Sequence, residues 1–410
     1  MADTALARAM LSTMRGIRGA LIGVGTATVL AVTGCSSTVA GTAHPDPSAA
    51  VRLDTGGYPT SPRPVPERTD PNDRRVQSSY ELAGYLISPA DVDAAFDWAG
   101  ASRVPVLASQ VSLAVAFGMP QSTALAQTDG LVGGAVSARQ TAGTASADTA
   151  SMTTYVIRYR TAATATAAGA ALRALRKEAD QELPGRPGSF RGPENAATDL
   201  PTMWWQPHQD YLLGVGFKSV PDERAVSLAG RWLDRQTREL AGVTTTVEQL
   251  LALPPDRDGI MSLTIPDAVR VADGTQPALA YMSTRAWLNV TTGQWTPRSR
   301  LYERAGVDLI GSAGSTVFRT RSAASARYLL DAMRDGEGGS DGTEVAEAAP
   351  PGLAGSRCSS FTTSANGAPR KAYQCVLAVG RYYLNTGAVG TLTQAHQQAA
   401  ASYLMAKDAK

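Results

Sequence analysis

The sequence VIRYRTAATA at residues 156–165 recurs as VFRTRSAASA at residues 317–326. Each copy predicts a short strand that leads into Thr161 or Ser322, and either residue can cap the alanine-rich helix that follows it. Apolar residues continue at helical spacing on one face of both helices. The repeated segment therefore predicts one strand-to-helix unit that is present twice.

A second similarity follows each of these helices. Tyr211 and Tyr383 each begin a predicted strand that precedes a further helix, around Trp232 in the first copy and around Leu404 in the second. A segment rich in Gly, Glu and Pro, residues 335–355, explains the longer spacing in the second copy. Each unit then has the order strand, helix, one or more strands, helix. Antiparallel strands combined with helices indicate an α+β fold that arose by internal duplication.

The length of the chain agrees with two domains, since 410 residues exceed one ordinary module of roughly 150. We expect a first α+β domain over residues 76–250 and a second over residues 256–410. A signal peptide over residues 1–34 and a disordered tether over residues 35–75 are expected before them. The tether is predicted because this stretch is rich in proline and has almost no apolar periodicity, so it cannot bury enough surface to offset its ordering entropy.

The charge of the chain excludes one class of partner. The formal net charge is +2, and the three arginines and one aspartate of residues 1–34 account for it. The remainder is formally neutral and offers no basic stripe of the kind that non-specific nucleic-acid binding needs. We therefore expect no nucleic-acid partner.

The beginning of the chain has the layout of an export signal. Arg15 and Arg18 precede an uncharged run over residues 19–34, which is shorter than the ~20 apolar residues that cross a bilayer. The sequence LAVTGC that ends at Cys35 resembles the lipobox of bacterial lipoproteins, in which the cysteine receives lipid, including palmitate, and the preceding peptide is removed. The resemblance implies attachment to the extracytoplasmic face of the cell membrane through Cys35. A buried cysteine behind a hydrophobic run is the alternative.

The other two cysteines form an even pair. Cys358 and Cys375 flank a polar stretch that contains Asn366-Gly367, a dipeptide that favours a tight hairpin turn. An antiparallel hairpin would bring the two cysteines together, so we expect a disulfide, which stabilises a loop of this size by about 3 kcal/mol. A redox-active or metal-binding pair is the competing interpretation, and their spacing differs from Cys-x-x-Cys. We expect no metal site and no cofactor.

Several phrases are similar to those of a known group of proteins. They are YELAGY at residues 80–85 with ISP at residues 87–89, VFR at residues 317–319, and AAASYL at residues 399–404. They resemble actinobacterial cell-envelope lipoproteins, of mycobacterial, nocardial and rhodococcal type, whose function is unknown and which carry a duplicated α+β region behind a tether. The resemblance implies an envelope setting and supplies no activity.

The sequence contains no catalytic motif in the secondary structure that the motif requires. Gly338 to Gly342 match the Gly-x-Ser-x-Gly elbow of α/β-hydrolases, but they lie in the Gly-rich insertion, where the strand and helix that the elbow needs are not predicted. His44, His208 and His396 are far apart in the sequence and do not form a metal-ligand cluster. We predict no catalytic residue, although an enzyme remains an open alternative.

Two groups of residues are candidates for ligand contact. Trp204, Trp205 and Tyr211 form the densest aromatic cluster of the sequence, and paired tryptophans can line an apolar or sugar-binding groove. Core packing explains the same residues equally well. Arg158 and Arg319, at matching positions of the repeat, could meet anionic head groups or lie on a solvated sheet face.

The sequence therefore supports two hypotheses of different classes. The first is a membrane-anchored envelope lipoprotein that acts as a non-catalytic binding or scaffold protein, with an envelope protein, lipid or glycan as its partner. The alternative is an envelope hydrolase whose site is assembled from distant residues. A polar pocket with converging Asp, Ser or His would favour the enzyme, and a groove near Trp204 would favour binding.

Overall fold

The computed structural model describes residues 52–99, 104–117, 124, 128–142, 148–175, 181–192, 202–266, 280–334, 344–365 and 368–409. All of them belong to one unit, Val51–Lys410. The predicted signal peptide, Cys35 and residues 338–342 lie outside the described residues.

The first half of this unit is built on a six-stranded antiparallel sheet. Its strands in chain order are β1 (Trp98–Ala99), β2 (Leu131–Gln140), β3 (Ser151–Tyr159), β4 (Phe190–Arg191), β5 (Thr202–His208) and β6 (Tyr211–Lys218). The helices of this half are α1 (Pro71–Ala83), α2 (Pro89–Val92), α3 (Gln110–Phe117), α4 (Ala162–Ala174), α5 (Asp222–Ala241) and α6 (Val247–Leu251). The strand order across the sheet is β1-β2-β3-β6-β5-β4.

The second half is built on a seven-stranded antiparallel sheet. Its strands are β7 (Ala280–Met282), β8 (Leu309–Ser312), β9 (Ser315–Arg319), β10 (Val345–Glu347), β11 (Arg357–Ala365), β12 (Ala368–Val379) and β13 (Tyr382–Val389). Its helices are α7 (Thr284–Val290), α8 (Trp295–Ala305), α9 (Ala323–Arg334) and α10 (Leu392–Ala406). The order across the sheet is β10-β11-β12-β13-β9-β8-β7.

The two sheets have the same topology. Strand β10 has no counterpart in the first sheet. When it is left out and the second sheet is read from its other edge, the order β7-β8-β9-β13-β12-β11 corresponds strand for strand to β1-β2-β3-β6-β5-β4 of the first sheet. Helices α4 and α9 follow the equivalent strands β3 and β9. The predicted caps are present, because Thr161 Oγ1 accepts a hydrogen bond from the Thr164 amide at 3.1 Å and Ser322 Oγ accepts one from the Ser325 amide at 3.2 Å. The predicted α+β fold with two related units is confirmed.

The alignment of the later strands differs from the prediction by one residue. Arg158 pairs with Tyr211, and its repeat mate Arg319 pairs with Tyr382, so Tyr382 and not Tyr383 is the equivalent of Tyr211. The proposed match of Trp232 with Leu404 assumes the same offset between the copies, which is one residue longer than the offset that the strand pairing gives. A shift of one residue moves a strand side chain to the other face, so this register decides which residues enter which core.

Equivalent faces of the two sheets point in the same direction, and the copies are stacked head to tail. Val156 lies in the central core between the sheets, whereas its equivalent Val317 lies in the outer core under α10. Their neighbours are reversed, with Ile157 in the outer core under α4 and Phe318 in the central core. The equivalent helices are exchanged between centre and outside in the same way. Of the pair α4 and α9, α4 covers an outer face and α9 lies in the centre. Of the pair α5 and α10, α5 lies in the centre and α10 covers the other outer face.

The central layer joins the two halves into one packed body. Helix α1 lies in it and contacts β2 of the first sheet and β7 of the second, as well as α6 and α7. The central core contains apolar residues from both sheets, so the inner face of each half is covered only when the other half is present. Within the described part of the chain, no helix combines the length and the hydrophobicity that crossing a bilayer requires.

Arg139 on β2 makes a polar contact across this central layer. It is 1% exposed, and its guanidinium donates to the carbonyl of Gly293 at 2.8 Å and to that of Leu288 near the end of α7. The same group lies over the Trp295 ring, with Cζ 5.2 Å from the ring centroid. Burial lowers the pKa of Arg139 to about 10, so the guanidinium still carries its charge at neutral pH.

Residues 52–75 correct the predicted extent of the tether. Helix α1 already begins at Pro71, and the segment before it packs against the second half of the chain. Arg63 donates to the carbonyl of Thr264 at 3.1 Å, and the Tyr58 hydroxyl accepts a hydrogen bond from Gln398 on α10 at 3.3 Å. Single long-range contacts of this kind hold the segment, and they leave no periodicity in the sequence. The remaining tether residues, 35–51, lie outside the described residues.

Candidate functional site

The two adjacent tryptophans of β5 point to opposite faces of the first sheet, as successive residues of a strand do. Trp205 is 1% exposed and lies in the outer core, where its ring is 5.4 Å from that of Tyr155 and 5.2 Å from that of Phe117. It also lies over Gly214, its cross-strand partner on β6. Trp205 is therefore a core residue and has no access to a ligand.

Trp204 faces the central side of the sheet and lines a cleft at its edge. The residue is 4% exposed and pairs with Arg191 on β4 and Val215 on β6. Its indole Nε1 is buried and has no hydrogen-bond partner among the described residues. A buried indole N–H normally donates to an acceptor. Core packing alone therefore does not explain why the Trp204 N–H is buried beside the cleft without one.

Tyr211 does not belong to the same cluster. It begins β6, four residues before Val215, and is therefore about 13 Å along the strand from the pairing partner of Trp204. The Arg158 guanidinium lies over its ring, 5.0 Å from the centroid, and burial raises the pKa of its hydroxyl to about 12. The predicted aromatic cluster thus separates into three environments, and Trp204 is the member that lines this cleft.

The cleft has a volume of about 280 Å³, close to the lower end for small-molecule sites. It lies between the edge of the first sheet and the first turns of α5. Its walls combine apolar, uncharged polar and charged side chains. They are Gln181, Glu182, Pro184, Arg191, Thr202, Trp204, Asp222 and Val226.

Two of the charged groups of the cleft, Arg191 and Glu182, make hydrogen bonds within the protein. Arg191 donates to the side chain of Gln181 at 3.3 Å and to that of Thr202 at 3.5 Å. The Glu182 carboxylate accepts the backbone N–H of Gly188 at 2.9 Å. A guanidinium and a carboxylate that are held in this way can bind hydroxyl and amide groups of a ligand with little loss of side-chain freedom.

The repeated arginines form ion pairs within the protein. Arg158 Nε donates to Asp210 at 2.8 Å, and its Nη1 donates to the carbonyl of Thr245 at 2.7 Å. Arg319 contacts Asp308 at 2.8 Å and Asp258 at 2.9 Å, and these hydrogen bonds, led by that of Asp308, raise the pKa of Arg319. Both arginines are therefore committed to structural contacts rather than presented to head groups.

The second half contains a cluster of two cysteines and a histidine. Cys358 on β11 and Cys375 on β12 face each other in register, and their sulfurs lie 2.05 Å apart in a disulfide. The strands pair up to Ala365 and Ala368, as the predicted hairpin requires, while residues 366–367 lie outside the described residues. His396 on α10 is the third member, and one ligand atom of each of the three residues lies within 4.8 Å of the others.

The described residues bring no serine, histidine and carboxylate together as a hydrolase would need. His396 Nε2 contacts the carbonyl of Ala348 at 2.8 Å, and His208 ends β5 in the first half, with no hydrogen bond to a serine or a carboxylate in the described part of the chain. Neither histidine lines the cleft beside Trp204. His44 and Ser340 lie outside the described residues.

Family models match the chain in two parts. The N-terminal domain of a family of unknown function, DUF7373, matches residues 65–255, and the C-terminal domain of the same family matches residues 260–408. The chain belongs to this family. The division of the DUF7373 models between residues 255 and 260 separates the two sheets, and it lies close to the predicted division between residues 250 and 256. No curated protein and no solved structure matches the chain.

Proposed function

We propose that this DUF7373 protein is a lipoprotein of an actinobacterial-type cell envelope, anchored through Cys35 at the extracytoplasmic face of the membrane, and that it binds an envelope glycan without catalysis. The cleft beside Trp204 carries the binding part of the proposal. The anchor rests on the lipobox-like sequence LAVTGC and the positive residues before it.

The composition of the cleft favours a glycan over a lipid. A lipid chain needs walls that are apolar along its length, whereas Arg191, Glu182 and Asp222 place charged hydrogen-bonding groups around one aromatic side chain. Sugars offer both an apolar ring face and many hydroxyl groups, which suits this combination. The volume of about 280 Å³ fits one or two sugar units rather than a folded protein partner.

Binding is tested by titrating the detergent-extracted chain with N-acetylated amino-sugar oligosaccharides. Trp204→Phe should weaken binding about fivefold, the equivalent of about 1 kcal/mol of lost aromatic contact. Trp205→Phe is the matched control, because the same change on the opposite face should lower stability and leave the dissociation constant unchanged. Kd from calorimetry and the thermal midpoint are measured for both variants.

The two variants distinguish a site from a core. Equal loss of binding in Trp204→Phe and Trp205→Phe, in step with equal loss of stability, would reject the cleft as the site. Binding of phosphatidylglycerol vesicles without binding of oligosaccharides would reject the glycan. Shorter sugars released during the titration would instead support the hydrolase.

The anchor predicts how the protein partitions. The wild-type chain should enter the detergent phase on Triton X-114 extraction, since two acyl chains suffice for stable membrane attachment. Cys35→Ala should remain in the aqueous phase or retain its signal peptide, which mass spectrometry detects. Cys358→Ala, which removes a different cysteine, should partition as the wild type does. Identical partitioning of Cys35→Ala and wild type would disprove lipidation at Cys35.

A further inference from the structure

We propose that Cys358, Cys375 and His396 form a redox-gated site for Zn²⁺, which binds when the disulfide is reduced and is released when it forms. The three side chains come from β11, β12 and α10, and the helix packs directly on β12 and β13. Two thiolates and an imidazole are the ligand types that Zn²⁺ prefers, and three protein ligands leave one coordination position open. The proposal is independent of the glycan cleft.

The spacing of the three groups suits one metal ion. One ligand atom of each residue lies within 4.8 Å of the other two. Bonds of about 2.3 Å to sulfur and about 2.1 Å to nitrogen put tetrahedral ligand atoms somewhat less than 4 Å apart. Reduction of the disulfide lets the two sulfurs separate by the distance that such a geometry requires. Cys375 is fully buried and Cys358 is 6% exposed, so the thiolates would bind the metal away from bulk water.

The hydrogen bond of His396 uses one ring nitrogen and leaves the other available to a metal. Nε2 lies 2.8 Å from the carbonyl oxygen of Ala348, which can only accept a hydrogen bond, so Nε2 carries the proton. A neutral imidazole then has its lone pair on Nδ1. Metal-binding histidines usually donate their other N–H to a carbonyl or a carboxylate, which fixes the ring. The backbone of Cys375 is also fixed by a hydrogen bond, since the buried Thr386 hydroxyl donates to its carbonyl at 3.1 Å.

The redox step is an ordinary thiol–disulfide exchange. A protein dithiol of the thioredoxin class reduces the Cys358–Cys375 bond by two electrons and two protons, and becomes a disulfide itself. Zn²⁺ then binds the two sulfurs and releases the two thiol protons. In the reverse direction, a protein disulfide of the same class accepts the two electrons and becomes a dithiol while the Cys358–Cys375 bond re-forms. Both thiolates are then lost to the metal, and a single histidine does not retain it.

The test uses the full chain with Cys35→Ala, in which Cys358 and Cys375 are the only thiols. After reduction with a phosphine and removal of oxygen, Co²⁺ should give the thiolate charge-transfer band and the visible bands of a tetrahedral site, at one ion per chain. Zn²⁺ should displace the cobalt. The oxidised chain should give neither signal.

Two histidine variants separate a built site from a free dithiol. His396→Ala should weaken Zn²⁺ binding by about tenfold or more, whereas His208→Ala, in the first half, should leave it unchanged. Zn²⁺ should also raise the thermal midpoint of the reduced chain but not that of reduced His396→Ala. Equal affinity of His396→Ala and wild type, no metal bound to the reduced chain, or loss of its folded structure on reduction before metal is added would overturn the proposal.

Discussion

Replacing Gly214 with alanine should destabilise the protein by about 3 kcal/mol. A Cβ atom at this position would lie 2.3 Å from Trp205 Cζ3 and 2.6 Å from Cε3, far inside van der Waals contact. The indole ring cannot move away, because Tyr155 and Phe117 pack against it. Overpacking of a dense core costs about 1–3 kcal/mol, and a clash with a fixed ring belongs at the upper end. Chemical denaturation monitored by circular dichroism gives the free energy of unfolding.

Gly230 provides the control, because the same substitution there should raise the free energy of unfolding rather than lower it. This glycine lies inside α5, and an added Cβ would have no atom within 4 Å. Gly230→Ala should therefore stabilise the protein by about 0.5–1 kcal/mol through helix propensity. In the double variant Gly214→Ala with Trp205→Leu, the smaller side chain should recover part of the loss. A Gly214→Ala protein as stable as Gly230→Ala would contradict the close approach of Trp205.

Replacing Arg139 with methionine should cost about 3 kcal/mol. Methionine fills much of the space, but it removes the charged donor of two carbonyls. That of Gly293 keeps the backbone N–H of Ala99 at 3.1 Å, whereas that of Leu288 loses the guanidinium, and an unsatisfied buried group costs about 1–3 kcal/mol. The stacking of the guanidinium on Trp295 is lost as well. Because these contacts join the two halves, the loss should appear as a lower midpoint of the whole unfolding transition.

The matched control for Arg139 is an arginine at the surface. Arg224 has a side chain that is 52% exposed and pairs with Asp93 at 2.8 Å. Arg224→Met should change the stability by no more than about 1 kcal/mol, because exposed ion pairs contribute little. Similar losses in Arg139→Met and Arg224→Met would show that Arg139 is not an essential contact between the halves.

The duplication could be predicted from the sequence because it depends on local signals. The caps at Thr161 and Ser322 and the strands before them recur with the same residue types, so one unit predicts the other. The direction in which the units stack could not be predicted. Both faces of the strands are covered, so Val156 and Val317 carry the same side chain although one lies in the central core and the other in an outer core. The one-residue error at Tyr383 has the same cause.

The candidate sites could be predicted only in part, because the rest depends on tertiary packing that leaves no signal in the sequence. Trp204 and Trp205 are indistinguishable in the sequence, because an alternation of apolar and polar residues disappears when helices cover both faces of a sheet. The approach of His396 to the cysteine pair has no sequence signal, since it depends on how α10 packs against β12. The predicted pairing of Cys358 with Cys375 needed only the hairpin between them.

The head-to-tail arrangement also determines what an isolated half could do. A twofold dimer buries one patch against an identical patch, so each surface must be complementary to itself. Here the side of the first sheet that carries α5 packs against the opposite side of the second, which carries α9, and the two joined surfaces are not alike. A second copy of a one-sheet fragment could therefore cover the exposed surface only head to tail, with its opposite side, and not as a twofold partner. Stacking of this polarity has no intrinsic end, and in this chain it comprises two units, with α4 and α10 covering the two outer faces.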